Sequence, residues 1–206
     1  MCVLARAGIA AGTLALCFLL LIAAAAAAVV IVVTGGLLGS GESGVSAPQL
    51  SGGYGSVTCR IDGGVHGGGL DLSARQAANA AVINQVALDE GITPPGRAVV
   101  IALAAALQES GLENLDHGDR DSLGLFQQRP SQGWGSPAQI MNPAYAAQQF
   151  YQHLQRVPDW WGIPLWQAAQ AVQHSALPTA YEKWQPKVEI LQQFLAAEPR
   201  ACETRK

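Results

Sequence analysis

Leu107-Gln108-Glu109-Ser110-Gly111-Leu112-Glu113-Asn114-Leu115-Asp116-His117-Gly118-Asp119-Arg120-Asp121-Ser122-Leu123-Gly124-Leu125-Phe126-Gln127-Gln128 is the stretch around which the rest of the chain is organised. One glutamate, Glu109, closes an uncharged helical run, a polar loop follows, and a second short apolar turn comes next. Upstream, Thr93, Pro94, Pro95 and Gly96 open the helix, where the N–H that proline lacks would have no partner in any case. Ala98 to Leu107 is ten apolar residues, five of them alanine, which predicts a helix buried on most of its faces. Gly111 supplies its C-terminal stop. Glu109 is then expected in the last turn of a buried helix. Removal from water disfavours its ionised form, and so does the partial negative charge at a helix C-terminus. A carboxylic acid kept protonated toward neutral pH is what protonating a poor leaving-group oxygen requires. Glutamates in last turns are also commonly solvated surface residues, so the reading depends on the residues around this one.

Those residues carry a resemblance. Glu109-Ser110, followed fifteen positions after the glutamate by Gly124-Leu125-Phe126-Gln127, resembles the signature of the soluble lytic transglycosylases, in which Glu-Ser precedes Gly-Leu-Met-Gln at a matching distance. The longer run from Gly118 to Gly135 is similar to small secreted actinobacterial proteins with a lysozyme-like domain, and the likeness covers about Ala98 to Phe194. It implies an all-α, lysozyme-like (lytic transglycosylase) domain. It also implies cleavage of the β-1,4 bond between N-acetylmuramic acid and N-acetylglucosamine in peptidoglycan, without a cofactor. Glu109 would be the catalytic acid and base, and Ser110, Gln127 and Gln173 would position sugar or orient Glu109. The family's later Ala-Tyr-Asn-x-Gly segment reads here Ala171-Val172-Gln173-His174-Ser175, without the tyrosine and the glycine. Tyr181, in Pro178-Thr179-Ala180-Tyr181, is the candidate to take over part of that role. The departure keeps open a protein that binds peptidoglycan, or serves wall assembly, without turnover.

The loop between the two halves of the signature holds Glu113, Asp116, Asp119 and Asp121. Asp121 or Asp119 could serve as the second carboxylate of a hydrolytic muramidase, since such pairs stand roughly 5 to 9.5 Å apart. Asp116, Asp119 and Asp121 could instead gather calcium through oxygen ligands, although the EF-hand spacing is missing. The plainer reading is that these side chains cap backbone groups and pair with Arg120 or Arg129. No metal site is expected. His66, His117, His153 and His174 are scattered without a His-x-His, which disfavours a zinc peptidase. Cys59 sits in glycine-rich sequence rather than at a helix start, which disfavours a cysteine peptidase.

A length of 206 residues fits one modest domain with appendages. The net charge of −3 and the lack of a basic run argue against nucleic acid as a partner. No charge occurs between Arg6 and Glu42, and Ala7 to Thr34 is almost continuously apolar, long enough to span a bilayer as a helix. Residues 1–34 therefore read as a transmembrane signal anchor, with a cleaved signal peptide, and so a secreted domain, as the alternative. Arg6 favours a cytoplasmic N-terminus with the C-terminal domain outside the cytoplasmic membrane. The expected partners are that membrane and peptidoglycan glycan strands. Cys2 and Cys17 receive no role. Cys59 and Cys202 bracket the soluble part, where an oxidising location permits a disulfide; two unpaired thiols are the alternative.

Residues 35–72 hold thirteen glycines and read as a flexible linker, with an ordered loop near Cys59 as the alternative for the second half. The lysozyme-like domain is placed at 73–202, with a tail at 203–206. Ser73 with Gln76 forms a capping box ahead of an apolar pattern at helical spacing from Ala77 to Leu88. Ser136-Pro137 and Asn142-Pro143 start further helices, the second running to about Arg156. Pro164 starts one to His174, and Pro186 a last one to Ala197. Every element reads as helix. Of the five tryptophans, Trp134, close to the Gly-Leu-Phe-Gln turn, is the candidate to stack on a sugar. Core burial is the expectation for Trp160, Trp161, Trp166 and Trp184.

Overall fold

Five alanines in ten residues make a helix thin enough for neighbours to approach on every side, and the architecture follows from that. The computed structural model describes residues 56–198 and 201–205, which belong to one unit, Leu50–Lys206. In chain order come β1 (Ser56–Cys59), β2 (Val65–Gly67), β3 (Leu70–Leu72), α1 (Ala74–Asp89), α2 (Pro95–Ser110), α3 (Pro137–Ile140), α4 (Pro143–Leu154), α5 (Leu165–Gln173), α6 (Gln185–Ala197) and β4 (Cys202–Arg205). Short 3-10 helices add Pro130–Gln132 and Pro178–Trp184. With 56% helix against 8% strand, the domain is mainly α.

The central helix is α2. Every residue from Ala98 to Leu107 is buried, and the helix packs against α1, α4, α5, α6 and the 3-10 helix Pro178–Trp184. Pro95 stands at its start, as expected. Gly111 ends it in the left-handed region, φ 65°, where an L side chain would be strained. The N–H groups of Gly111 and Leu112 then donate to the carbonyls of Leu107 and Ala106. Two amides from α1 hold the chain beyond that stop: Gln76 Nε2 donates to Gly111 O at 2.8 Å, and buried Asn79 Nδ2 to Leu112 O at 2.8 Å. The helix end that carries Glu109 is therefore pinned from outside as well as from within.

The start signals at the other helices are present as well. Ser73 and Gln76 close a capping box at α1, Ser136 and Gln139 another at α3, and Asn142 accepts from the N–H groups of Ala144 and Tyr145 at α4. The expectation of helix alone is corrected at the ends of the domain. β1 pairs antiparallel with β4, Cys59 opposite Cys202, and β2 pairs antiparallel with β3. Strands of three or four residues are too short to show a two-residue alternation. From Ser56 onward the expected linker 35–72 is ordered structure, and Glu203–Arg205 of the expected tail belong to β4. Cys59 and Cys202 form a disulfide. It closes a loop with a sequence separation of 143, worth about 5 kcal/mol on the loop-entropy estimate, less any strain. The anchor expected over 1–34, Cys2 and Cys17, and the linker as far as Gly55 lie outside the described residues. Among the described residues no helix is long and apolar enough to cross a membrane.

Candidate functional site

The spacing of Glu109-Ser110 from Gly124-Leu125-Phe126-Gln127 has a local physical cause. Leu123 and Gln128 bond each other reciprocally, N–H to carbonyl at 2.9 Å both ways, so the four residues between them form a closed turn. Gly124 must be glycine. Its φ is 75°, and a Cβ there would lie 2.8 Å from the carbonyl oxygen of Ile140. Leu125 and Phe126 point into the core and are fully buried. Ser110 Oγ donates to Leu125 O at 2.7 Å from the end of α2, and Gln173 Nε2 donates to Phe126 O at 3.0 Å from the end of α5. The two apolar seats are worth roughly 1.5–3 kcal/mol each and the hydrogen bonds about 1 each. Burial therefore holds the turn in place, while Ser110 and Gln173 set how its backbone lies.

Glu109 is in the last turn of α2 and only partly exposed. Tyr181, fully buried in the 3-10 helix, donates its hydroxyl to Glu109 Oε1 at 2.7 Å. Among the described residues this is the one hydrogen bond that reaches the carboxyl, and no cation pairs with it. Burial raises the Glu109 pKa above its ordinary value, and the Tyr181 bond, which favours the ionised form, opposes that rise without cancelling it. The Tyr181 phenol is itself pushed well up, first by burial and then by its bond to Glu109, so it remains a donor. A carboxyl with one oxygen held and the other free of protein partners can give up a proton and take one back.

Three residues further along the same 3-10 helix, Trp184 Nε1 donates to Gln108 Oε1 at 3.0 Å. With three residues per turn, Tyr181 and Trp184 lie on one side of that helix, and they grip the two consecutive side chains Gln108 and Glu109.

The other nominated residues divide. Gln127, at φ 49°, turns its amide back on the loop, donating to His117 O and Gly124 O. It thus braces the loop. Trp134 stacks on the His153 ring, centroids 4.1 Å apart, and packs against the core cluster. That contact occupies one face of the ring expected to stack on sugar, and Trp134 stays partly exposed. Asp121 is bound by Arg129 Nε at 2.6 Å and by the Ser131 N–H at 2.8 Å. The Ser131 backbone bond, then the Ser131 side chain and Arg129, hold its pKa well below the usual carboxylate range. Asp119 lies loosely by Arg120 at 3.9 Å, and Asp116 accepts from His117. Asp119 and Asp121 thus pair with Arg120 and Arg129, as the plainer reading expects, Asp116 pairs with His117 instead, and the Glu113 side chain has no hydrogen bond or ion pair among the described residues. Among the described residues no group of three or more His, Cys, Asp or Glu side chains converges on a metal position. Gln108 and Trp184 join this region without a motif in the sequence to mark them. The available signal was the tryptophan itself, whose indole N–H takes a hydrogen-bond partner where the ring packs against the core.

No protein-family profile and no curated protein matches the chain.

Proposed function

We propose that the protein is a peptidoglycan lytic transglycosylase with a lysozyme-like fold, cleaving the β-1,4 bond between N-acetylmuramic acid and N-acetylglucosamine. The observation that carries the reading is the Tyr181–Glu109 pair: a partly buried carboxyl of raised pKa, oriented by one neutral donor, with no second carboxylate bonded to it among the described residues. Glu109 protonates the bridging oxygen as the bond from C1 breaks. The substrate's own acetamido group stabilises the cationic centre, so a single protein carboxylate is enough. Glu109, now ionised, takes the proton from the muramic C6 hydroxyl as that oxygen attacks C1. The product is a 1,6-anhydro sugar, and no water is consumed.

Tyr181 suits both halves of this cycle. Its hydroxyl steadies Glu109 while charged and keeps the carboxyl fixed while neutral, which is the work of an orienting partner. A hydrolytic muramidase would use Asp121 or Asp119 as a second carboxylate; Asp121 is committed to Arg129 and Ser131, which leaves Asp119, loosely by Arg120, as that rival's candidate. The full-length protein incubated with purified sacculi tests the reading by product mass. Fragments lighter by one water than hydrolytic products support it. Hydrolytic products replace it with the muramidase, and binding without release, unaltered by Glu109→Gln, replaces it with a non-catalytic wall-binding protein.

A further inference from the structure

Lys183 and Lys187 hold their ammonium groups over a single ring, 5.1 and 5.2 Å from the centroid of Trp184. Roughly 10 Å at most, about one Debye length at 0.1 M salt, therefore separates the two charges. Like charges so placed repel, and neither lysine has an ion-pair partner among the described residues. The nearest acid on the same helix, Glu189, accepts instead from Gln185 Nε2 at 2.9 Å.

The ring and the stem of Lys187 are also held in place. Trp184 is tied to Gln108, the residue before Glu109. Across from it, the glycine tip of the β2–β3 hairpin comes so close that a Cβ on Gly69 would lie 3.4 Å from Lys187 Cε, and one on Gly68 would lie 3.0 Å from Ile190. The hairpin lies on the aliphatic stem of Lys187 while bringing no side chain to its ammonium. Two cations without an ion-pair partner among the described residues thus sit on Trp184, the residue bonded to the neighbour of Glu109.

We propose that Lys183 and Lys187, seated on Trp184, form a subsite for a carboxylate of the peptide attached to the glycan strand, so that the preferred substrate is a strand bearing free-acid stems. This rests on the function proposed above. A membrane surface fits the same lysines less well, because attraction to anionic lipid takes clusters of about four to eight basic residues. This patch has two, with Glu182 and Glu189 close in sequence in a chain of net charge −3.

The test uses the full-length protein and three insoluble preparations of glycan strands: with free-acid stems, with amidated stems, and stripped of peptide. Binding and anhydro release are measured in the same tubes. The wild type is expected to bind free-acid strands about fivefold more tightly than amidated ones, the gain from two exposed ion pairs, and to lose that preference as salt rises. The double variant Lys183→Gln/Lys187→Gln binds both alike, while Lys183→Arg/Lys187→Arg keeps the preference, since charge and ring contact survive. Melting curves confirm that both variants fold. A wild type without preference, or a Gln variant that retains it, overturns the subsite. Release without preference removes the subsite and leaves the enzyme; preference without release removes the enzyme and leaves the subsite. No binding to any strand overturns both. Lysine-dependent binding to phosphatidylglycerol vesicles without discrimination among strands overturns the subsite in favour of a membrane contact.

Discussion

Glu109 and Asp121 stand twelve positions apart and carry the same functional group, yet the fold treats them in opposite ways. Asp121 receives a guanidinium and a backbone N–H, and its proton is held off far below the usual range. Glu109 receives one neutral hydroxyl in a drier place, and its proton is kept longer than usual. The difference teaches what separates a structural acid from a chemical one. A saturated carboxylate braces a loop and has nothing left to transfer, whereas an undersupplied one can still exchange a proton.

Glu109→Gln tests that contrast most severely. It keeps the shape and the acceptor for Tyr181 and removes the transferable proton, so anhydro release is expected to fall about a thousandfold, in line with loss of a general acid and base. Stability should move the other way. A folded pKa raised above the ordinary 4.5 means that the carboxyl favours folding most when protonated, and that this contribution is lost as pH rises through the folded value. At neutral pH the glutamine variant should therefore melt no lower than the parent. A large drop in melting temperature would show that Glu109 is structural, as Asp121 is.

Tyr181→Phe sharpens the comparison by taking away the one donor that reaches Glu109 among the described residues. Turnover should fall roughly tenfold or more, the worth of a hydrogen bond to a charged acceptor. Because the lost bond favoured the ionised form, the Glu109 pKa should climb further, and the alkaline limb of the kcat/KM profile should move to higher pH. An unmoved limb would separate Tyr181 from the chemistry.

Ser110→Ala tests the clamp beneath the pair. It leaves Leu125 O without its 2.7 Å donor, at a cost of about 1–2 kcal/mol in unfolding free energy measured by denaturant.

The smallest effect is expected from Asp121→Asn. Turnover should stay within a few-fold of the parent, and the loss of stability should be present at neutral pH and disappear in acid. The sign follows from a folded pKa below the ordinary 3.8: the stabilisation exists above that value and is lost as pH falls through the folded one. Melting temperatures of parent and variant followed down in pH would show the two converging. A collapse of activity in Asp121→Asn would break the contrast and revive the two-carboxylate enzyme.

Much of the fold could be read from neighbours along the chain. The start of α2 at its prolines, its alanine-rich burial and its stop at Gly111 all follow from local rules, and so do the capping boxes at Ser73 and Ser136. The strands at either end could not be read, because four residues contain too little pattern, and their pairing joins segments more than a hundred residues apart. At the site, Glu109 stood out through its isolation in an apolar run. Ser110 and Gln173, expected to position sugar or orient Glu109, hydrogen-bond the carbonyls of the Leu125-Phe126 turn.

The sequence by itself determined where the α-helices begin, where the central one stops and which acid sits at its dry end, because capping, burial periodicity and glycine stops act within a few residues. Only the tertiary structure decided which acid has partners and which does not. Tyr181 meets Glu109 across 72 positions and Trp184 meets Gln108 across 76, while Asp121 finds Arg129 across eight. A carboxyl's proton affinity is set by what packs around it in space, and packing at such separations is chosen by the whole core rather than by any stretch of the chain.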